Sequence, residues 1–311
     1  MRTTLGLSLI AVLLVGCSSA ATPATTTAPP PPATGAAPPP STAGPSPGVL
    51  SQIPQSSALP PAGSESDPSP SPPVAAAEDL PASFARFAAT QQGRVSVAVV
   101  PVGSTATPTV LGDPGDPVAW STSKVPVAIA VEGTPQGPEL RPTMRSAITA
   151  SDNDAAIRLW QSLGSPAEAA AATDRVLRNF GDHRTHTQAE QVRPPYTAFG
   201  QTRWSLADQA RFAAQLPCRA EAEPVYAAMG NIAPSQQWGL GRLTGSRFKG
   251  GWGPSSAGYL VRQFGVVPTP TGRVAVAIAV DAPSFDQGTT TLSRTADWLR
   301  GHLGDLSAGA C

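Results

Sequence analysis

Charged residues are scarce in this sequence. They make up only 14% of the chain, and 21 basic residues are matched by 21 acidic ones. Proteins that bind nucleic acid usually carry a basic footprint, and this balance provides none. We therefore expect no nucleic-acid partner. Lysine is especially rare, since Lys124 stands more than a hundred residues from any other lysine.

The N-terminal quarter also lacks aromatic residues. Between Ala21 and Ala75 there is no Phe, Trp or Tyr, and only Glu65 and Asp67 are charged, whereas 17 residues are proline. Such a segment buries too little apolar surface to offset the entropy that folding costs. We expect residues 17–77 to form a disordered tether, partly in the polyproline II conformation.

A short apolar run precedes the tether. Arg2 is followed by the apolar stretch Leu5–Val15, which is too short for a membrane-spanning helix and typical of a secretory signal peptide, here residues 1–16. Leu14-Val15-Gly16-Cys17 resembles a bacterial lipobox. The resemblance implies cleavage before Cys17 and acylation of that cysteine, for instance with palmitate, which would anchor the protein to the outer face of the cell membrane. An ordinary signal peptide that happens to contain a cysteine is the alternative.

Two further cysteines, Cys218 and Cys311, remain in the exported part. Export places them in an oxidising compartment, where disulfides persist. A bond between them would close a loop of about 90 residues and contribute on the order of 4 kcal/mol in the chain-entropy model. We expect this disulfide; two free thiols are the alternative.

Residues 78–311 show a clear order of secondary-structure patterns and no internal repeat. Asp79-Leu80-Pro81 begins a helix, "RVSVAVVPV" is a buried strand, and a second strand follows Thr107. Helical patterns come next and begin at Ser123, Thr143, Asp154, Pro166 and Ser205. Three antiparallel strands follow, with turns at Pro254-Ser255 and Pro270-Thr271-Gly272, and a helix closes the domain. This order predicts an α+β domain whose N- and C-terminal parts complete one antiparallel sheet, with an all-helical subdomain between them.

The isolated Lys124 follows Ser121 by one helical turn. Residues three apart share a helix face, so the amine can lie beside the hydroxyl. Serine is a weak nucleophile until a base takes its proton, and a buried lysine of lowered pKa can be that base. The N-terminus of a helix also favours negative charge and offers free N–H groups. Alone, this spacing is a weak signal.

Two more motifs follow in order. Ser151-Asp152-Asn153 lies in "AITASDNDAA", and Lys249-Gly250-Gly251 lies in "SRFKGGWG". S-x-x-K, S-D-N and K-T-G in this order are typical of class A β-lactamases and penicillin-binding proteins, and the sequence resembles these serine hydrolases over the whole folded part. The resemblance implies a β-lactamase/transpeptidase-like fold for the domain at 78–311.

Roles for single residues are implied by that resemblance. Ser121 would be the acylated nucleophile, Lys124 its base or proton relay, and Ser151 the group that passes a proton to the leaving group. Asn153 would contact the acyl side chain, and Lys249 would supply positive charge near the substrate carboxylate. The oxyanion hole would consist of the Ser121 N–H and one N–H near Gly251 or Trp252.

The sequence departs from the family pattern in three places. Gly250 replaces the hydroxyl residue of K-T-G, which could cost about 1.5–3 kcal/mol of carboxylate binding. The E-x-x-L-N motif of deacylation is missing, and Glu190 is the only glutamate in the corresponding stretch. The segment between Ser121 and Ser151 is also shorter than in the β-lactamases, which implies a more open cleft.

Other candidates have weaker support. Arg262, on the strand after Lys249, could bind a substrate carboxylate, or it could point outward. His183 and His186 form H-x-x-H, but no acidic or cysteine ligand stands nearby at a useful spacing, so we expect no metal and no cofactor.

Two functions remain open at this stage. The first is a lipid-anchored hydrolase of the cell envelope, monomeric, with acyl-enzyme chemistry at Ser121 on D-alanyl peptides of peptidoglycan or on β-lactams, and weak β-lactam turnover. The second is a catalytically impaired lipoprotein of the same fold that acts as a binding or scaffold module. The five polar residues that the motifs share favour the first hypothesis, and Gly250 and the missing glutamate favour the second.

Overall fold

The computed structural model describes residues 79–115 and 117–311. The predicted signal peptide, the acylated Cys17 and the tether over residues 17–77 lie outside the described residues. The helices are α1 Leu80–Ala89, α2 Lys124–Glu132, α3 Gly137–Thr149, α4 Asn153–Ser162, α5 Pro166–Asn179, α6 Leu206–Gln215, α7 Glu223–Ala228 and α8 Phe285–His302. The strands are β1 Arg94–Pro101, β2 Thr109–Leu111, β3 Arg247–Ser255, β4 Gly258–Thr269 and β5 Gly272–Ala282.

The five strands form one antiparallel sheet in the order β2-β1-β5-β4-β3. Strand β1 from the start of the domain pairs with β5 from its end, with Val97 opposite Ile278. The two ends of the domain therefore complete a single sheet, with the helices α2–α7 between them in the sequence, and the predicted α+β architecture is confirmed. Strand β3, which carries the third motif, lies at one edge of the sheet.

Helix α2 is the central helix of the domain. Seven of its nine residues are buried, from Lys124 through Ile129 together with Val131. A helix that is apolar on all sides must be surrounded by protein, and α2 packs against helices α3, α4 and α5. The helix therefore holds the residues at its N-terminus in a fixed position.

Helix caps explain where the helical subdomain turns. Asp152 caps α4 by accepting a bond from the Ala155 N–H at 3.0 Å, and Ser165 and Glu168 form a capping box at the start of α5. The Asp152 cap fixes the turn that contains Ser151 directly before α4.

Some element boundaries differ from the predictions. Helix α3 already begins at Gly137, with Pro142 inside it, and α7 was not predicted. The hairpin between β3 and β4 reverses at Ser256 and Ala257, because Ser255 still pairs with Gly258. Pro at position 254 is tolerated because β3 is an edge strand.

Cys218 and Cys311 are joined by a disulfide, and their Cα atoms lie 5.2 Å apart. The bond connects the end of the chain to the segment after α6. Arg273 and Gly309 also exchange backbone hydrogen bonds, at 2.9 and 3.0 Å. None of the helices in the described residues is both long and apolar enough to span a bilayer.

Candidate active site

Ser121 lies in a short 3-10 turn, Trp120–Ser123, that leads directly into α2. Trp120 has a φ angle of 49°, a left-handed conformation that is uncommon for a bulky residue and is often found at functional sites. The Ser123 hydroxyl donates to the Trp120 carbonyl at 2.7 Å, and the Thr122 hydroxyl donates to the Ala119 carbonyl. These bonds leave Ser121, half-buried, at the N-terminal end of the central helix.

Lys124 is buried, and its amine contacts the second motif. Its Nζ donates to the Ser151 carbonyl at 2.6 Å, to Asn153 Oδ1 at 2.8 Å and to the Asp152 carbonyl at 3.2 Å. Burial lowers the pKa of Lys124 to about 7, although the negative charge of Asp152 opposes the change. An amine with this pKa exists partly as the free base at neutral pH, as a general base requires.

Lys249 lies on the other side of Ser151. Its Nζ bonds to Ser151 Oγ at 2.9 Å and donates to the Gly250 carbonyl at 2.8 Å. The side chain is fully buried, so burial lowers its pKa well below the usual value, and the neighbouring charge of Lys124 acts in the same direction. Ser151 itself has a φ angle of 59°, which turns its carbonyl towards Lys124 while its hydroxyl meets Lys249.

Gly251 lies directly against the turn that carries Ser121. A Cβ atom at this position would stand 2.8 Å from the Ser121 nitrogen and 2.9 Å from both the Thr122 nitrogen and the Ala119 oxygen. All three neighbours are backbone atoms, so glycine is needed for this close approach. The edge strand β3 thereby lies beside the Ser121 N–H, as an oxyanion hole shared by the two elements requires.

Arg262 does not take the expected position. It is fully buried, and its guanidinium donates to the carbonyls of Pro117 at 3.1 Å, Val118 at 2.9 Å and Trp204 at 2.9 Å, and to Gln209 Oε1 at 2.7 Å. These bonds hold the guanidinium against the segment before Ser121 and the start of α6, so Arg262 does not take the substrate-facing position that was expected.

The contacts of Arg262 continue to the turn Trp120–Ser123, which carries Ser121 and is called the nucleophile turn after the role that the resemblance implies for Ser121. Gln209, whose Oε1 accepts from Arg262, donates through Nε2 to the Thr122 hydroxyl at 3.0 Å. Arg262 therefore helps to position the turn that carries Ser121, through Gln209 and Thr122. No sequence pattern indicated Gln209, because a glutamine in a helix has no motif of its own.

Gly250 faces the opposite side of β3 from Gly251. A Cβ atom at this position would lie 3.1 Å from Cη2 of Trp238 and 3.7 Å from Cγ of Gln263. The space that a K-T-G hydroxyl would occupy is therefore bordered by an indole ring.

The loop between α5 and α6 contacts the site from another side. Tyr196 packs edge-on against Trp120 with ring centroids 5.0 Å apart, and Arg193 lies over both rings while donating to the Pro254 carbonyl at 3.1 Å. Glu190, on the same loop, is exposed. Aromatic and guanidinium groups therefore pack beside Ser121, where the resemblance would place a deacylating carboxylate.

The two histidines lie apart from this site. His183 and His186 are both exposed, and His186 Nδ1 lies 3.4 Å from Asp174 Oδ2. Across residues 79–115 and 117–311, no group of three or more His, Cys, Asp or Glu side chains is placed to hold a metal ion.

Hydrogen bonds join Lys124 and Lys249 to Ser151 and join Lys124 to Asn153, while Gly251 packs against the backbone of the turn that carries Ser121. The guanidinium of Arg262 is bonded instead to the carbonyls of Pro117, Val118 and Trp204. A serine in the turn that leads into a helix, followed one helical turn later by a lysine of lowered pKa, and a second serine bound to a second lysine are groups that can carry out acyl transfer. Trp120, in the same turn as Ser121, is a neighbour that the sequence motifs did not indicate.

No protein-family model and no curated protein matches this chain. Solved structures do. An ancestral class A β-lactamase is 18% identical with a TM-score of 0.54, and the match covers 72% of this chain and 99% of that one. The class A β-lactamase of Mycobacterium abscessus is 16% identical, with a TM-score of 0.54 and coverage of 71% and 98%. A β-lactamase of Chitinophaga pinensis is 17% identical, with a TM-score of 0.56 and coverage of 70% and 96%. This chain therefore has the fold of the class A β-lactamases.

Proposed function

We propose that this protein is a serine hydrolase of the cell envelope that forms an acyl-enzyme at Ser121. D-alanyl peptides of peptidoglycan and β-lactam-type amides define the class of reaction, and β-lactam turnover is weak. A lipid on Cys17 and the tether over residues 17–77 hold the domain outside the cell membrane.

One observation carries this proposal. Lys124 and Lys249, which are 125 residues apart in the sequence, bond to the carbonyl and to the hydroxyl of Ser151, and Lys124 begins the helix that follows the turn carrying Ser121. Burying two amines costs free energy, since the charged form of each loses its hydration. A scaffold that only needs the fold would gain nothing from burying both amines at Ser151, whereas a hydrolase would use them.

The chemistry follows from this arrangement. Ser121 Oγ attacks the carbonyl carbon of the substrate while its proton passes to the Lys124 amine, and backbone N–H groups of the nucleophile turn and β3 stabilise the oxyanion. When the bond from the carbonyl carbon to the leaving atom breaks, Ser151 gives that atom a proton. The Lys124 ammonium, which holds the proton taken from Ser121, then returns a proton to Ser151. The product is an ester on Ser121.

Deacylation is the weak step of this site. Glu190 is exposed, and the loop next to Ser121 presents Tyr196 and Arg193 instead of a carboxylate. Without a positioned base, water attacks the ester slowly.

Labelling tests the proposal. The purified protein is incubated with a fluorescent penicillin and, separately, with a fluorophosphonate serine probe, and each adduct is measured by intact mass. We expect one adduct per chain, absent in Ser121→Ala and retained in Ser235→Ala, which changes an exposed serine. Labelling of Ser121→Ala at the parent rate would remove Ser121 from its role.

Membrane attachment needs a separate measurement. Cells that express the full chain are fractionated, and we expect the protein in the membrane fraction, with Cys17→Ser moving it to the soluble fraction or to the medium. Equal membrane recovery of both forms would contradict the lipid anchor.

The binding-module alternative has its own support in the site. Gly250 provides no hydroxyl, and the exposed Glu190 lies in a loop that packs Tyr196 on Trp120. If neither probe forms an adduct with the parent protein, this second function replaces the first.

A further inference from the structure

Four aromatic side chains form a cluster on the side of β3 opposite the turn that carries Ser121. The ring centroids of Trp238 and Trp252 lie 5.8 Å apart, Phe285 lies 5.6 Å from Trp252 and 6.2 Å from Trp238, and Tyr259 lies 5.8 Å from Phe285. All four side chains are only partly buried. We call these four residues the aromatic wall.

The wall stands next to the reacting groups. Gly251 touches the Ser121 turn, and its neighbour Gly250 faces Cη2 of Trp238 at 3.1 Å from an added Cβ. Side chains alternate along a strand, so Trp252 lies on the same side of β3 as Gly250. Because β3 is the edge strand, a substrate bound along its open edge would have the aromatic wall on one side and Ser121 on the other.

Trp238 is held firmly in place. Gln263, fully buried on β4 opposite Gly250, donates to the Trp238 carbonyl at 2.9 Å and accepts from the Leu240 N–H at 2.7 Å. The Gly239 N–H donates to Ser293 Oγ at 3.1 Å. A loop fixed from both α8 and β4 presents the indole in one position, which lowers the entropy cost of stacking a ligand on it.

The same place offers little to a carboxylate. Gly250 has no hydroxyl, and the guanidinium of Arg262 already donates to the carbonyls of Pro117, Val118 and Trp204. Lys249 is fully buried, with its amine on Ser151 Oγ and the Gly250 carbonyl. A carboxylate that lost its hydration against indole rings would be left without an ionic partner, whereas a flat apolar group would gain stacking area.

We propose that the preferred acyl donor carries an uncharged aromatic or apolar group, and no carboxylate, on the side that lies along β3 against Trp238 and Trp252. This inference rests on the acyl-transfer function proposed above and narrows its substrate class. Penicillins and D-alanyl peptides, which carry a carboxylate there, are then poor donors because that group meets the aromatic wall.

Matched esters test the inference. Phenyl phenylacetate and 3-carboxyphenyl phenylacetate differ by one carboxylate on the leaving group, and 3-carbamoylphenyl phenylacetate controls for the size and electronic effect of the substituent. Ser121 attacks the ester carbon, the bond to the phenol oxygen breaks, and the phenol leaves with the proton. Acylation is followed by intact mass and phenol release, for the parent protein and for Trp238→Ala, Trp238→Phe and Phe87→Ala.

We expect the two neutral esters to acylate the parent protein at least tenfold faster than the carboxylate ester. Trp238→Ala should lower the rate with the neutral esters about tenfold through KM, and Trp238→Phe should restore most of it. Phe87→Ala, which alters a partly buried ring of α1 packed on Trp298, should leave the preference unchanged. Equal or faster acylation by the carboxylate ester, or a preference that Trp238→Ala does not change, would overturn the inference.

Binding to Ser121→Ala separates this inference from the proposed function. The variant cannot be acylated, so ligand-observed NMR with the same esters measures the aromatic wall alone. Tighter binding of the neutral esters that is lost in Ser121→Ala/Trp238→Ala would support the wall even if the parent protein formed no adduct. Equal binding of neutral and charged esters would refute the wall while leaving the acylation of Ser121 intact.

Discussion

Gly251→Ala is the substitution that the geometry of the site constrains most closely. The new Cβ would lie 2.8 Å from the Ser121 nitrogen, and ordinary contact begins at 3.4 Å, so β3 and the nucleophile turn would have to separate by about 0.6 Å. Neither side can yield easily. The turn is fixed by Thr122 and Ser123, whose hydroxyls bond backbone carbonyls, and β3 is fixed by its register with β4.

The cost divides into stability and rate. Overpacking of this kind typically destabilises a protein by about 1–3 kcal/mol, which in a domain of this size lowers Tm by roughly 2–12 °C. Displacing the reacting groups by a large part of an ångström lowers the rate on the order of tenfold to a hundredfold. The assays are differential scanning fluorimetry and the second-order rate of Ser121 labelling by the fluorophosphonate probe.

Gly301→Ala is the matched control. Gly301 lies near the end of α8 with nothing within 4 Å of an added Cβ, so the same methyl group should stabilise the helix by about 0.5–1 kcal/mol. Labelling should be unchanged in this variant. If Gly251→Ala keeps both the parent Tm and the parent labelling rate, the close approach of β3 to Ser121 is not a requirement of the site.

Three further outcomes follow from the same contacts. The acylation rate should rise with pH and level off above about pH 7, because the lowered pKa of Lys124 leaves its amine uncharged there; a flat profile, or one unchanged in Lys124→Met, would exclude this base. Arg262→Met should lower Tm, because four acceptors lose their donor and each buried polar group left unsatisfied costs about 1–3 kcal/mol, whereas the exposed Arg294→Met should not; a rise in KM with unchanged Tm would support the substrate role. A penicillin adduct on Ser121 should persist for many minutes after excess reagent is removed, and rapid nitrocefin hydrolysis that Glu190→Gln abolishes would contradict the absence of a deacylating base.

The motifs predicted the polar centre of the site because their chemistry depends on local spacing. Ser121 and Lys124 are one helical turn apart, and Ser151 lies in a turn that the Asp152 cap fixes within the same short segment. The relative position of Ser121 and Lys124 depends only on their turn and α2, and that of Ser151 and Asn153 depends only on the start of α4. The order of elements also predicted that β3 belongs to the same sheet as β1 and β5, and in the structure Lys249 on β3 bonds to Ser151.

Arg262 shows what the sequence could not provide. Its position on the strand after Lys249 was predicted, but its partner on β3 depends on the register of the β3–β4 hairpin. The predicted turn at Pro254-Ser255 lies two residues before the real one at Ser256 and Ala257. In the actual register Arg262 pairs with Gly251, so its side chain shares the face that packs under the nucleophile turn.

Gly250 gains a different meaning from the structure. From the sequence alone it is the residue of K-T-G that lost its hydroxyl, and Gly250→Thr should restore carboxylate binding and raise the rate of penicillin acylation. In the structure an added Cβ already lies 3.1 Å from Trp238, whose loop is held by Gln263 and Ser293. The branched threonine must displace the indole before its hydroxyl can serve a ligand. Gly250→Thr should therefore slow acylation by the neutral aryl esters, and Gly250→Thr/Trp238→Ala should recover the penicillin reaction more than either single change does. That non-additivity is the signature expected if glycine and tryptophan exclude a hydroxyl together, and simple additivity would mean that the two residues act independently.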